Sequence, residues 1–228
     1  MNAQALQPIV YPQTLMRITA EVVIFTIVNQ VLKVLLVARP QVPANLVWTL
    51  PGGEVAVDED LRHGANRTLL EGTGVSGVFL EQLYTFGAVD RHPTERVISV
   101  SYYTLIPMEK LQQGRVKSGH QVDWFALNAL PTLGFDHHKI IDKAHARLKA
   151  KLQYSTLAFQ FMPPEFSLSE LQAAYEVILN EKLDKRNFRK FILTLEKIVE
   201  TGTARQQGAH RPAKLYRVKH PQRVDIIK

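Results

Sequence analysis

The chain has 228 residues, of which 46% are hydrophobic, so it can bury the core of one large domain or two modest ones. It has no cysteine, which excludes disulfides and thiolate metal sites. Its formal net charge is +7. The N-terminus lacks a secretory signal pattern, and no apolar run approaches the roughly 18–20 residues that span a bilayer. We therefore expect a cytoplasmic protein with no membrane partner.

Strand-like segments dominate the first part of the chain. Residues 18–28 and 31–38 are rich in Val, Ile, Leu and Phe, which predicts a β-hairpin or two sequential buried strands. Further strands are predicted over residues 47–50, 77–88, 96–107 and 121–125.

Two helices interrupt this series of strands. Residues 58–72 place apolar side chains on one face, and Asp58 is the predicted N-cap. Residues 137–152 also show helical periodicity. Strands alternating with helices in this order predict an α/β sandwich.

A spaced motif occupies residues 53–75, directly after Pro51 and Gly52. It reads G-x5-E-x7-R-x-[apolar]-x-E-x-x-G-[apolar], formed by Gly53, Glu59, Arg67, Leu69, Glu71, Gly74 and Val75. A glycine loop followed by a capped helix is common, but the agreement of all these positions at fixed offsets is not expected by chance.

This motif resembles the signature of the Nudix hydrolases. In that family the helix reads R-E-x-x-E-E, and its glutamates hold the magnesium that polarises a diphosphate. Here Thr68 and Gly72 stand at two of the three glutamate positions. The resemblance implies a Nudix-like α/β/α sandwich with a mixed sheet, in agreement with the order of elements. The two losses predict a domain that binds a nucleotide diphosphate without cleaving it, with no catalytic residue, no metal site and no required cofactor.

Eight residues are candidates for binding the small molecule. Arg91 and Arg96 flank a turn and can grip a diphosphate through bidentate contacts, although a solvated loop fits them equally well. Trp48 either stacks on a base or packs in the core, and Arg39 either faces a phosphate or lies on the surface. In the resemblance, Arg67 pairs with an acid such as Glu71 to fix the loop. The complete set is Arg39, Trp48, Gly52, Gly53, Arg67, Glu71, Arg91 and Arg96.

A second unit follows, so we divide the chain into residues 1–152 and 153–228. Residues 153–166 lose periodicity and predict a linker. Ser167 and Glu170 predict a capping box at the start of a helix. A second helix is predicted over residues 184–200 with Asp184 as its cap, followed by short strands at residues 203–206 and 213–218. Two helices and a β-hairpin with a basic tip are typical of a winged helix-turn-helix.

Positive charge is concentrated in this second unit. Residues 183–228 hold 12 Lys and Arg against 4 Asp and Glu, a net +8, which indicates a polyanion partner. A disordered basic tail is excluded because large apolar residues recur at helical spacing. The predicted contacts to double-stranded DNA come from the second helix and the wing: Lys185, Arg186, Asn187, Arg189, Lys190, Arg205, Gln206, His210, Arg211 and Lys214.

Taken whole, the chain resembles the NrtR regulators, which are Nudix-related transcriptional repressors of NAD metabolism. The most specific part is the wing, where residues 208–216 read G-A-H-R-P-A-K-L-Y. The resemblance implies a homodimer on a palindromic operator, released when ADP-ribose fills the Nudix pocket. Two alternatives remain open. In the first the protein is a regulator that responds to a sugar, and in the second it is an active ADP-ribose pyrophosphatase whose basic C-terminal part serves another purpose.

Overall fold

The structure is a computed structural model that describes residues 16–40, 46–107, 121–206, 212–221 and 223–227. Its first part is a seven-stranded mixed sheet with a central strand order β3-β2-β1-β6-β5. The strands are β1 (Arg17–Val28), β2 (Val31–Pro40), β3 (Leu46–Thr49), β4 (Gly52–Glu54), β5 (Glu81–Phe86), β6 (Val97–Leu105) and β7 (Val122–Ala126). Strand β1 pairs parallel with β6 and antiparallel with β2 and β4, and β7 pairs with β2.

Helices cover both faces of this sheet. Helix α1 (Leu61–Thr73) packs on one face, and helix α2 (His137–Leu152) packs on the other. The alternation of strand side chains explains this sandwich, because Val22 and Ile24 belong to the cluster that contains Leu69 of α1. Val23 and Phe25, which point the opposite way, belong to the cluster of α2. The predicted α/β sandwich with a mixed sheet is therefore present.

The second part is a small winged helix. It contains a 3₁₀ helix (Leu157–Phe161), helix α3 (Leu168–Leu179), helix α4 (Lys185–Thr194) and a three-stranded sheet ordered β8-β10-β9. Its strands are β8 (Phe166–Ser167), β9 (Ile198–Arg205) and β10 (Ala213–Val218). The predicted capping box is confirmed: the Ser167 hydroxyl accepts from the Glu170 amide, and the Glu170 carboxylate accepts from the Ser167 amide.

Two predicted helix boundaries were wrong. Helix α1 begins at Leu61 and is capped by Asp60 rather than Asp58, because the Asp60 carboxylate accepts a hydrogen bond from the His63 amide. Helix α4 ends at Thr194 rather than at residue 200, because Glu196 adopts a left-handed conformation with φ of 53° that breaks the helix. The apolar residues Ile198 and Val199 then begin strand β9.

The segment predicted as a linker is packed rather than loose. Leu157, Phe159 and Phe161 of the 3₁₀ helix are buried. They belong to one hydrophobic cluster that also contains Val23 of the sheet and Leu171 of α3. The winged helix therefore shares a core with the sheet and α2.

The predicted strand over residues 77–88 is shorter than expected, since only Glu81–Phe86 pair with β6. None of the helices in the described parts of the chain has the length and apolar character to cross a membrane.

Candidate ligand cleft and candidate nucleic-acid interface

Arg67 organises the loop and helix of the spaced motif. Its Nε lies 2.9 Å from Glu59 Oε1, and a second nitrogen lies 2.9 Å from Glu59 Oε2. It also donates to a Glu71 carboxylate oxygen at 3.1 Å and to the Glu54 carbonyl oxygen at 2.9 Å. The hydrogen bond from Arg67 lowers the pKa of Glu59 to about 2. Glu59, rather than Glu71, is thus the main acidic partner of Arg67.

The Nudix motif implies metal ligands on one face of helix α1, and two of those positions, Thr68 and Gly72, carry no carboxylate. The Thr68 side chain is buried, its hydroxyl donates to the Ala65 carbonyl oxygen at 3.2 Å, and its methyl group faces Gly53. Gly72 contributes no side chain, and Glu71 is engaged by Arg67. Among the described residues, no group of three or more His, Asp or Glu side chains could hold a metal ion. This helix does not fit the magnesium cluster that the Nudix motif implies.

A cleft of about 180 Å³ opens beside this motif, between strands β1 and β4, the loop at residues 87–95 and the first turn of α2. Its described lining consists of Arg17, Thr19, Glu21, Arg39, Leu50, Gly52, Gly53, Glu54, Arg91, His92, Glu95, Val97, Phe135 and His137. At Gly52 a side chain would not fit, because a Cβ there would lie 2.6 Å from the Ala20 carbonyl oxygen. The glycine allows β4 to pair closely with β1 along the cleft.

A buried acid lines the cleft. Glu21 lies on β1 with 7% of its surface exposed, and its carboxylate accepts a hydrogen bond from the Ser99 hydroxyl. Burial raises the pKa of Glu21 to about 7. Near neutral pH this group can therefore both donate and accept hydrogen bonds toward a polar ligand.

Arg91 and Asp136 form a buried ion pair at the wall of the cleft. Arg91 donates to the two carboxylate oxygens of Asp136 at 2.9 and 3.2 Å. The next residue, His137, accepts a hydrogen bond from the Leu50 amide at 2.9 Å through Nδ1. Burial lowers the pKa of His137 to about 3, so its ring is neutral. These contacts attach the first turn of α2 to the loops around the cleft.

Two aromatic rings stand at the mouth. His92 and Phe135 stack with centroids 5.2 Å apart and 16° between their planes. Phe135 is 45% exposed and has a φ of 55°, which is rare for a bulky residue. An exposed, stacked ring in a strained backbone conformation is a suitable platform for a base.

The structure separates the eight predicted ligand-binding residues into two groups. Arg39, Gly52, Gly53 and Arg91 line the cleft. Trp48 instead packs edge-on against Phe125 at 4.6 Å, and Arg96 donates to the carbonyl oxygens of Gly87 and Ala88. Arg67 and Glu71 hold the motif together outside the lining.

Sequence reasoning missed five residues of this site: Glu21, His92, Phe135, Asp136 and His137. Glu21 left a sequence signal, since it is an acid within a mostly apolar strand. The others come from the loop at residues 87–95 and from the start of α2, whose approach to each other depends on the tertiary fold.

Helix α4 presents a cationic face to solvent. Phe188 and Ile192 are buried, and Asp184 caps the helix by accepting from the Asn187 amide at 2.8 Å. The predicted DNA contacts on this helix are all exposed: Lys185, Arg186, Asn187, Arg189 and Lys190. Within the described residues, Lys185, Arg186 and Lys190 form no ion pair with an acid.

A groove lies between this helix and the hairpin of β9 and β10. Lys185, Arg189, Arg205 and Lys214 line it together with the first turn of α3. Arg205 pairs with Glu170 at 3.0 Å, and Lys214 pairs with Glu200 at 3.0 Å. Gln206 is exposed at the end of the described hairpin, whereas His210 and Arg211 lie outside the described residues. The groove and the exposed face of α4 form one cationic surface.

Models of known protein families match both parts of the chain. Residues 17–145 match the NUDIX domain, and residues 158–218 match the NrtR DNA-binding winged helix domain. The ADPR responsive transcriptional repressor NtrR of Acinetobacter baylyi is 39% identical over 211 residues, covering 91% of this chain and 83% of that protein. An ADP-ribose pyrophosphatase of Methanocaldococcus jannaschii is 33% identical over 109 residues, covering 48% of this chain and 63% of that protein.

Solved structures match the same two parts of the chain. Shewanella oneidensis NrtR in complex with a 27mer DNA superposes with a TM-score of 0.80 at 34% identity, covering 89% of this chain and 93% of that one. The NUDIX domain of the same protein, crystallised with ADP ribose, superposes with a TM-score of 0.51 at 34% identity, covering 60% of this chain and 90% of that one. The chain belongs to the NrtR family of Nudix-related transcriptional regulators.

Proposed function

We propose that this protein is a transcriptional repressor that binds operator DNA through helix α4 and the β9-β10 hairpin and is released by ADP-ribose. The observation that carries the proposal is the cationic face of α4, where Lys185, Arg186 and Lys190 are exposed and form no ion pair among the described residues. Base-reading side chains of a recognition helix belong in its first turns. The relatives support the same activity, since one is named for its response to ADPR and another was crystallised with DNA.

The cleft supports a nucleotide diphosphate as the effector. Arg39 and Arg91 supply positive charge for the phosphates, and the stacked His92 and Phe135 offer an aromatic surface for a base. The buried Glu21 can hydrogen bond to a ligand hydroxyl. ADP-ribose has all three of these chemical features, and it was bound to the NUDIX domain of the Shewanella relative. A sugar-type effector would use the hydroxyl-binding group but would leave the two arginines and the aromatic pair unused.

We further propose that the Nudix domain does not hydrolyse its ligand and requires no cofactor. Thr68 and Gly72 remove two metal-ligating positions, and Arg67 engages the acids Glu59 and Glu71. Phosphoryl chemistry depends on the metal to neutralise developing charge. Incubating the protein with ADP-ribose and magnesium or manganese checks this: turnover on the order of 1 per second or faster would favour the alternative, a pyrophosphatase.

The DNA-bound form is proposed to be a homodimer. Two copies of α4 about 34–36 Å apart would enter successive major grooves on one side of a palindromic site. Because the partners are chromosomal DNA and a nucleotide metabolite, we place the protein in the cytoplasm.

Titration of DNA with the full-length protein tests the function. A duplex selected from a random library should bind, and ADP-ribose should weaken that binding by a factor of roughly 5–150. Reciprocity requires the duplex to weaken ADP-ribose binding by the same factor. If the protein selects no duplex from the library, the proposal that it binds DNA is wrong. If it selects a duplex that millimolar ADP-ribose fails to release, ADP-ribose is not the effector.

A further inference from the structure

We propose that Asp136 couples the cleft to the winged helix by exchanging partners: it holds Arg91 while the cleft is empty and caps helix α2 once a ligand diphosphate takes Arg91. The inference rests on the proposed function, because it assigns the step by which an anionic effector is sensed. Asp136 acts here as a positioning residue, since it works through Arg91 and α2.

Arg91 lies where it can serve either partner. Its side chain lines the ligand cleft on one side and an adjoining pocket with Asp136 on the other. The pairing with Asp136 uses two nitrogens on two carboxylate oxygens. A diphosphate presents the guanidinium with a similar pair of anionic oxygens. The ligand can therefore replace Asp136 without leaving Arg91 buried and unpaired.

Asp136 also has a second partner available. It is the N-cap residue of α2, yet its carboxylate makes no capping hydrogen bond: it pairs with Arg91, and its backbone (φ −97°, ψ 23°) lacks the extended conformation of an N-cap. The N-caps of α1, α3 and α4 (Asp60, Ser167 and Asp184) all accept a hydrogen bond from the first turn of their helix. The Lys139 amide already donates to the Asp136 carbonyl oxygen at 2.9 Å. Released from Arg91 and rotated about ψ to the extended conformation of those caps, the Asp136 carboxylate can accept from the His138 amide and interact favourably with the helix dipole. The exchange therefore has two defined end states.

Helix α2 connects this exchange to the winged helix. The helix is continuous from His137 to Leu152, and its buried residues Ile141 and Leu148 pack in the cluster that holds Leu171 and Ile178 of α3. Packed helices move as units rather than deform continuously, so a change in the first turn of α2 displaces α3. The first turn of α3 in turn holds the groove residue Arg205 through Glu170. The effector signal can thus reach the DNA-binding groove through these two helices.

The test compares full-length wild-type protein with Asp136→Asn, using ADP-ribose and the duplex that the wild type selects. Asparagine can cap a helix but has no charge to hold Arg91. We expect the variant to bind ADP-ribose at least threefold more tightly than the wild type and the ligand-free duplex more weakly. Its coupling factor should fall from roughly 5–150 toward 1. Asp142→Asn is the matched control, since Asp142 is exposed on the same helix, and it should keep the wild-type factor.

The two arms of the test fail separately. A wild type that ADP-ribose does not release from DNA overturns the proposed function. ADP-ribose can instead release the wild type while Asp136→Asn keeps the full coupling factor or binds ADP-ribose more weakly. That result overturns the partner exchange alone. Hydrogen exchange on the wild type gives a second readout that needs no variant. ADP-ribose should slow exchange at the His138 amide, and unchanged exchange there overturns the proposal.

Discussion

The two halves of the molecule use their arginines and lysines in different ways. In the Nudix half, Arg67 and Arg91 are bound to acids, and Arg39 and Arg96 donate to backbone carbonyl oxygens. On helix α4 of the winged half, Arg186 and Lys190 are exposed, and they pair with no acid in the described part of the chain. A cation with a partner fixes the conformation of a loop, whereas a cation without one keeps its charge available for a polyanion. Cations of the first kind should thus affect stability, and those of the second kind should affect DNA binding.

The largest expected effect comes from removing a buried, partnered cation. Arg91→Ala leaves the Asp136 carboxylate buried without its ion-pair partner, and a capping hydrogen bond replaces only part of that interaction. The free energy of unfolding should therefore fall by about 3–5 kcal/mol. Urea denaturation measures this. Arg62→Ala is the control in the same half, since that side chain is exposed, and it should change stability by less than about 0.5 kcal/mol. Equal effects of the two substitutions would contradict the distinction between buried cations bound to acids and exposed cations.

The second effect depends on pH and concerns the buried acid of the cleft. Burial raises the pKa of Glu21 to about 7, above its ordinary value of 4.5, so the unfolded chain loses this proton first. The free energy of unfolding should therefore fall by roughly 3 kcal/mol as the pH rises from about 4.5 to about 7. Glu21→Gln removes this loss, so the variant should match the wild type near pH 5 and be more stable at pH 8.

Urea midpoints at the two pH values decide this prediction. His137 contributes equally to both proteins: its lowered pKa reduces stability only as the pH falls below its ordinary value of 6.5 toward about 3. The difference between wild type and variant therefore isolates Glu21. Parallel stability profiles over the whole range would show that Glu21 titrates normally.

The third prediction concerns the cations of α4 that pair with no acid among the residues that the structure describes. Arg186→Ala should weaken binding to the selected duplex by about 1–3 kcal/mol and relax the sequence preference at one position, with no change in urea stability. Lys214 on the hairpin pairs with Glu200 but also lines the groove. Lys214→Ala should weaken binding to all duplexes alike and reduce the salt dependence by about one counterion. Fluorescence anisotropy across a salt series measures both. A loss of stability in Arg186→Ala would mean that this cation has a structural role.

The smallest effect is expected at Arg205, which is a partnered cation within the winged half. Its ion pair with Glu170 is partly exposed on both sides, so it should contribute less than about 1 kcal/mol to stability. A double-mutant cycle of Arg205→Ala and Glu170→Gln measures the contribution, because glutamine preserves the capping box. A coupling energy well above 1 kcal/mol would place Arg205 with the structural arginines of the Nudix half.

The sequence by itself determined the features that depend on short spacings along the chain. Three such features are the motif of residues 53–75, the helix caps at Ser167 and Asp184, and the concentration of positive charge after residue 183. The strand and helix order followed in the same way, because side-chain periodicity is local. These features were sufficient to identify both the α/β sandwich and the winged helix.

The tertiary structure decided which of these residues are available for binding. Arg91 and Asp136 are 45 residues apart in sequence, and no periodicity shows that they form a buried ion pair. The same holds for Trp48, which packs against Phe125, and for the apolar run at residues 157–161, which joins the core instead of forming a loose linker. The cause is physical: whether a charged or aromatic side chain is engaged or free depends on groups brought close by folding.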